Sequence, residues 1–217
     1  MALSKLNFNS LNVTPTASKG IGFDSGADDL EASFSGGSMV FIKKLTASGS
    51  ATLSFVDGSD GVVLDDTYKE YLFTFNNIHP AENNTKLMFQ ASTDTGSNYG
   101  IAMTTTRFYA FHKENGATPE FGYHDEDLAQ STDFQNLAAA TGSGNDEAAS
   151  GFVRIFNPSS TTFVKHFIAD ANSYLLSGSI RTFTAGYFNT TSAVDAVQFK
   201  MTSDNIDAGT ITLYGIN

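Results

Sequence analysis

Apolar and polar residues alternate with a period of two in many short segments of the chain. In the segment ATLSFV, Leu53 and Phe55 fall on one side, and in YLFTF the residues Tyr71, Phe73 and Phe75 do so. Further segments of this kind are KLMFQAS, IAMTTTRFYAF, GFVRIF, TFVKHFIA, RTFTAGYF, AVQFKMT and GTITLYGI. Short runs rich in β-branched and aromatic residues, separated by Gly, Asn, Asp and Ser clusters, are typical of an antiparallel sandwich or barrel. The pattern therefore predicts an all-β fold in which one face of each strand packs inward and the other meets solvent.

Two stretches are predicted to lie outside these strands. The segment HPAENNT should be a loop, because Pro80 has no amide hydrogen to contribute to a β-ladder. In HDEDLAQSTDFQNLAAAT, Leu128, Phe134 and Leu137 form only a partial helical stripe, which predicts at most a turn or two of helix. The aromatic residues of YLFTFNNI and KLMFQAS are then predicted to lie in the core of the domain.

Residues 1–35 follow a different pattern. Their apolar residues recur at mixed intervals of two and three, which fits neither a helix nor a strand. One interpretation is a partly ordered leader that lies on the domain. The other is an extended arm that docks on a neighbouring subunit through Leu3, Leu6, Phe8 and Leu11. The predicted organisation is thus an N-terminal arm, residues 1–35, and a single β-sandwich domain, residues 36–217, with Gly36 and Gly37 as a hinge.

The charge and composition of the chain argue against two classes of function, nucleic-acid binding and membrane insertion. Only 16% of the residues are charged, against roughly 25% in an average globular protein. The net charge is −11, and the only adjacent basic residues are Lys43 and Lys44, whereas nucleic-acid binding requires clustered cations. An acidic surface also repels anionic membranes. We therefore expect neither nucleic-acid binding nor membrane insertion.

Targeting signals bear on where the protein acts. The start, MALSKLNFNS, has no apolar run of the kind that forms a secretory signal peptide. No apolar run is long enough for a membrane-spanning helix. The chain has no cysteine, which excludes disulfides and thiolate metal sites. We expect synthesis in a host cytoplasm without a signal peptide, and release by lysis or within a particle.

The chain offers few candidates for catalysis or metal binding. The segment DGSDG contains Asp57 and Asp60, which are weak candidates for a calcium site but are also ordinary turn residues. The four histidines lack zinc-type spacing, and the chain has no nucleophile elbow and no P-loop. A carboxylate pair from distant strands, as in glycoside hydrolases, stays open. We expect no cofactor and no enzymatic activity.

A resemblance to a known family covers nearly the whole chain, from Gly20 to Asn217. The segments that carry it are SKGIGFDSGADDLEASFSGGSMVFIKKLTASGSATLSFVDG, YKEYLFTFNNIHP, FNPSSTTFVKHFIA and AGYFNTTSAVDAVQFKMTSDNIDAGTITLYGIN. In these the chain resembles a group of small virion proteins of marine tailed phages, especially the cyanophage-like viruses. The resemblance implies a jelly-roll-like β-sandwich that is exposed on the virion surface as a fibre, a fibre tip or a capsid decoration.

Two functions follow as expectations. The first is a non-enzymatic virion protein that attaches to capsid or tail proteins through its arm and forms a homo-oligomer, with a trimer favoured. The second is a carbohydrate-binding module at a fibre tip, since sugar binding requires exposed aromatic rings beside polar groups. The candidate residues for glycan contact are Tyr99, Tyr109, Tyr123 and Tyr187. The absence of tryptophan, a common stacking residue for sugars, argues against the second function.

Overall fold

The computed structural model describes the backbone of residues 19–23 and 30–35, and residues 38–117, 119–175 and 177–217. These parts of the chain form fifteen strands and no helix, and hence no helix that could cross a membrane. The strands are β1 (Lys19–Phe23), β2 (Leu30–Ser35), β3 (Met39–Thr46), β4 (Leu53–Val56), β5 (Glu70–Pro80), β6 (Leu87–Ser92), β7 (Met103–Lys113), β8 (Glu120–Tyr123), β9 (Ala129–Ser131), β10 (Gln135–Asn136), β11 (Ala149–Phe156), β12 (Lys165–Tyr174), β13 (Gly178–Phe188), β14 (Ala196–Met201) and β15 (Ile206–Ile216).

Two antiparallel sheets pack against each other, which confirms the predicted β-sandwich. The small sheet has the strand order β10-β6-β14-β4. The large sheet has nine strands in the order β3-β15-β5-β11-β12-β13-β7-β8, and β9 pairs with β7 beside this path. The jelly-roll connection of the strands stays a prediction.

The chain divides into two compact units, residues 1–40 and 41–217. In the first unit, β1 and β2 pair as an antiparallel hairpin. The residues proposed for docking, Leu3, Leu6, Phe8 and Leu11, and the proposed hinge at Gly36 and Gly37, lie outside the described residues.

The core of the sandwich is a connected group of phenylalanine rings from both sheets. The small sheet contributes Phe55, Phe89 and Phe199, and the large sheet contributes Phe73, Phe167 and Phe188, all of them buried. Ring centroids are 5.2 Å apart between Phe55 and Phe73 and 5.0 Å apart between Phe89 and Phe167, with edge-to-face geometry. Such pairs favour packing because the electropositive ring edge meets the electronegative face. The alternation predicted for ATLSFV and YLFTF is confirmed in these strands. In KLMFQAS, Gln90 on the predicted solvent side is buried as well, and its amide donates to the carbonyls of Ile101, Thr132 and Asp133.

Pro80 does not begin a loop, contrary to the prediction. The strand β5 continues through Pro80, which is paired with Ile206 in β15. Two register shifts in β15 lie beside this end of the strand, and Gly209 there has φ 113°. A proline is tolerated in a ladder at such an irregular end, because the regular hydrogen-bond pattern has already been interrupted.

The segment 124–141 contains the short strands β9 and β10 and no helix, in agreement with the expectation of at most a turn or two. Gln130 has a positive φ of 51°, which interrupts a helical path. The amide of Leu137 donates to the carbonyl of Leu87 at 2.8 Å. Hydrogen bonds to β6 and β7 thus replace those that a local helix would have made.

Candidate functional site

The outer face of the large sheet, the side directed away from the small sheet, carries a group of apolar side chains that are exposed or, for Phe183, half-buried. The register of β7, β8, β12 and β13 places these side chains on one side. We call this group the aromatic patch; its members are Phe108, Phe121, Tyr123, Ile168 and Phe183. Phe121 is 73% exposed, Tyr123 64% and Ile168 49%. Contiguous exposed apolar surface of this kind marks interaction sites in soluble proteins.

Polar side chains occupy the inward side in the middle of β7 and β13, where Phe108 and Phe183 lie on the outer face. Thr105, Arg107 and Thr182 are buried on the inward side of β7 and β13. The hydroxyl of Thr182 donates to the carbonyl of Leu137 at 2.7 Å, and that of Thr105 donates to Gln135 Oε1 at 2.6 Å. These strands therefore pack on the polar segment 124–141. In this part of β7 and β13 hydrogen bonds hold the inward residues, whereas Met103 and Phe188 at one end of the same strands are buried in the apolar core.

Ring stacking and one ion pair order the aromatic patch. The Phe108 and Phe183 rings stack with centroids 4.9 Å apart, and Phe121 lies 5.8 Å from Phe108. The Arg181 guanidinium lies 4.2 Å from the Phe183 centroid and makes two hydrogen bonds to Asp170, at 2.9 and 2.5 Å. The hydrogen bond to Asp170 raises the pKa of Arg181. The patch is thus a structured surface with a fixed cation over one of its rings.

Two shallow grooves flank the patch. The first, the Phe121 groove, has a volume of about 470 Å³ and is lined in part by His112, Glu120, Phe121 and Arg181. The second, the Tyr187 groove, has a volume of about 490 Å³. Its lining includes Thr104, Phe156, His166, Ile168, Ala185 and Tyr187. The Phe121 groove is therefore bordered by charged side chains, and the Tyr187 groove mainly by apolar and uncharged polar ones.

A buried ionic network lies on the other side of β7. Glu126 accepts hydrogen bonds from both Arg107 and Lys86, and Arg107 also donates to the carbonyl of Ala138 at 3.0 Å. The Arg107 side chain is fully buried, and burial lowers its pKa to about 10. The pKa of Lys86 is lowered by its own burial and then by the charge of Arg107. Both Glu126 oxygens bind cations, so this carboxylate fastens segment 124–141 to β6 and β7 and is not a free acid or base.

His124 borders this network. Its pKa is lowered by burial and by the charge of Arg107, while Asp125 opposes the shift. Its Nδ1 atom lies 3.4 Å from Asp125 Oδ1, and its ring packs edge-on against Tyr109. The neutral imidazole is therefore favoured at this position at neutral pH.

The four candidate tyrosines do not form one site. Tyr123 and Tyr187 lie on the outer face, in the aromatic patch and the Tyr187 groove respectively. Tyr109 belongs to the opposite side of β7, and its hydroxyl donates to Glu120 at 2.7 Å. Tyr99 is half-buried, its hydroxyl lies against Gly96, and burial raises its pKa. Only Tyr123 and Tyr187 share a surface that a ligand could reach.

Asp57 and Asp60 serve the turn that contains them. Asp57 Oδ1 accepts the amide hydrogen of Leu64 at 2.8 Å. Asp60 has φ 50°, and its carbonyl accepts from Lys43 Nζ at 2.9 Å. Within the described ranges, no three His, Cys, Asp or Glu side chains are grouped so that they could hold a metal ion. Calcium binding at these two residues stays a prediction.

Sequence reasoning did not identify Phe108, Phe121, Ile168 or Phe183 as surface residues. The alternation of RTFTAGYF does place Phe183 and Tyr187 on one side and Thr182 on the other. The alternation alone does not show which side of the strand is buried. Hydrophobicity suggests, wrongly, that the side with Phe183 faces the core. The charged Arg107 in TTTRF strengthens the wrong assignment, because charged residues are mostly exposed and the burial of Arg107 appears only in the structure.

Comparison with known proteins identified no relative of this chain. No protein-family model matches the chain, and no curated protein or solved structure matches it.

Proposed function

We propose that the protein is a non-enzymatic structural protein of a phage virion, exposed on the particle as a capsid decoration or a fibre component. The observation that carries the proposal is the aromatic patch on an otherwise complete β-sandwich. A folded domain that leaves such a surface uncovered gains about 25 cal/mol for each Å² of apolar area that a neighbour covers. A particle supplies neighbours in fixed positions, which suits this surface.

Further support comes from the composition and the family resemblance. The chain has no cysteine, few charges and a net charge of −11, which suit a neutral polar exterior and limit binding to nucleic acid. In this proposal residues 1–35 attach the protein to capsid or tail proteins. Copies of the chain associate as a homo-oligomer, with a trimer as the favoured state. The protein is made in the host cytoplasm and resides on the virion surface.

The test is the location of the protein in purified particles. Phage particles from a density gradient should contain the chain by mass spectrometry, and gold-labelled antibody should mark the outside of intact particles. A chain lacking residues 1–30 should melt cooperatively but fail to attach, while the full chain serves as the control. If the protein is found only in the soluble lysate, the proposal is wrong; if the truncated chain still attaches, the arm is not the docking segment.

The alternative is a carbohydrate-binding module that recognises a host surface glycan at a fibre tip. The Tyr187 groove favours it, because an aromatic ring there borders an apolar floor and uncharged polar side chains. Binding of the full chain to host surface polysaccharide tests this function independently of particle location. No binding above background at high micromolar concentration would refute it.

A further inference from the structure

We propose that the Tyr187 groove binds a neutral pyranose residue of a glycan. The inference rests on the alternative function above and names its binding site and its ligand class. The strands β7, β12 and β13 form the groove side by side, with Thr104 opposite Tyr187 and Tyr187 opposite His166 in the register. The groove therefore has a rigid base made of three hydrogen-bonded strands.

The floor of the groove suits the apolar face of a sugar ring. The small side chain of Ala185 leaves the sheet surface low at its centre, and the exposed Ile168 lies opposite Ala185 in the neighbouring strand. The volume of about 490 Å³ lies within the range of about 300–1,000 Å³ that is usual for small-molecule sites. A pyranose can place its C–H groups on this floor without displacing a large side chain.

Tyr187 supplies an aromatic wall whose ring is held by its neighbours. The His166 ring packs edge-on against it, with centroids 6.1 Å apart. Gln130 Nε2 lies 3.4 Å from the Tyr187 hydroxyl, which anchors the polar end of the ring. An amphipathic ring fixed at both ends loses little conformational entropy when a ligand stacks on it.

Uncharged hydrogen-bonding groups lie beside Tyr187. Gln130 Nε2 donates to Thr104 Oγ1 at 2.6 Å, and Asn189 Nδ2 donates to Gln130 Oε1 at 2.6 Å. Amide and hydroxyl groups retain further donor and acceptor capacity after one bond each. Both Gln130 and Asn189 are exposed. Their network can therefore exchange hydrogen bonds with the hydroxyl groups of a sugar.

The charge of the groove and the pairing of its strands favour a neutral glycan over an acidic glycan or a peptide. The described residues that line the Tyr187 groove include no Asp, Glu, Lys or Arg, whereas Arg181 and Glu120 line the Phe121 groove. The net charge of −11 disfavours acidic glycans. The strands β12 and β13 pair with neighbours on both sides, so a peptide cannot add to the sheet here by strand pairing.

The experiment uses the full-length chain and a matched pair of tyrosine variants. An array of neutral oligosaccharides containing glucose, galactose or N-acetylglucosamine is probed beside uronic-acid oligosaccharides, and hits are measured by calorimetry. Tyr187→Ala should weaken binding of the neutral hit roughly tenfold through the lost stacking contact. Tyr123→Ala removes a more exposed tyrosine from the same face outside the groove and should leave the Kd unchanged.

Ala185→Trp provides a second, independent variant. Ala185 is exposed, so a larger side chain fills the groove without entering the core, and binding should be lost while the melting temperature is kept. Unchanged affinity in Ala185→Trp overturns the site while glycan binding itself stands. Hits confined to uronic-acid oligosaccharides overturn the ligand class. No hit for any oligosaccharide overturns the inference and the carbohydrate-binding function together, but leaves the virion proposal to the particle experiment.

Discussion

Replacing Glu126 by Gln should be the most damaging single change in the buried ionic network. The substitution keeps the size of the side chain but removes the negative charge shared by Arg107 and Lys86. The fully buried guanidinium of Arg107 then has no carboxylate bonded to it, and only the solvent-exposed Asp125 offsets its charge and that of the nearby Lys86. Breaking a buried ion pair in this way costs about 3–5 kcal/mol of unfolding free energy.

Replacing Arg107 by Met should cost less, although Arg107 is the more buried partner. Glu126 keeps Lys86 as its partner and its side chain is 18% exposed, so no charge is left isolated. The main loss is the hydrogen bond to the Ala138 carbonyl, and an unpaired buried carbonyl costs about 1–3 kcal/mol. The double variant should therefore be more stable than Glu126→Gln alone, because it removes the charge that the single variant leaves unpaired.

Urea unfolding followed by fluorescence measures these differences directly, and Lys86→Met serves as the control. Lys86 is 29% exposed, so its loss should cost at most about 1 kcal/mol. In thermal unfolding, Glu126→Gln should lower Tm by roughly 6–20 °C for a domain of this size. The reasoning is refuted if Glu126→Gln stays within about 1 kcal/mol of the unmodified chain, or if the double variant is less stable than Glu126→Gln alone.

Three further predictions concern the core, acid stability and close backbone packing. Phe89→Ala removes a ring that contacts rings of both sheets and should lower the free energy of unfolding in urea by about 3–5 kcal/mol. Phe163→Ala, at an exposed position, is the control. A loss below about 1 kcal/mol in Phe89→Ala would contradict the core described here. Hydrogen bonds from Asn98 and Ser92 lower the pKa of Asp94 from 3.8 to about 2, so the stability that this carboxylate contributes is complete above pH 3.8 and is lost as the pH falls towards 2. The stability difference between the unmodified chain and Asp94→Asn should shrink over that pH range, and a difference independent of pH would refute the assignment. A β-carbon at Gly151 would lie 2.7 Å from the Ala171 Cα in β12 and 2.9 Å from the Phe75 ring in β5, so Gly151→Ala should cost about 1–3 kcal/mol by overpacking. An unchanged Tm would refute this close packing between neighbouring strands of the large sheet.

The alternation of residues along the chain was sufficient to predict nine of the fifteen described strands and their antiparallel pairing. Segments such as YLFTF place every second side chain on one side, and Phe73 and Phe75 are buried as the pattern indicates. Turn residues were also recognisable, because Thr95 and Gly96 in TDTGSNYG have positive φ values. Both features are local consequences of side-chain period and backbone sterics.

The candidate site was not predictable in the same way. The alternation of β13 is as clear as that of β5, yet Phe183 lies on the outer face and Thr182 is buried. The inward residues of β7 and β13 pack on segment 124–141, whose polar groups require hydrogen-bond partners such as Thr105 and Arg107. Which side of a strand is inward depends on what that side packs against.

The amino-acid sequence by itself determined the all-β class, the positions of most strands and the absence of cysteine chemistry. The tertiary structure decided that the aromatic rings of β7, β8 and β13 are gathered on the outer face. It also decided that Tyr187 borders a groove, that Tyr99 is half-buried against Gly96 and that the Tyr109 hydroxyl is bonded to Glu120. The physical reason is that strand formation follows a local period of two, whereas exposure follows from contacts between residues distant in the chain.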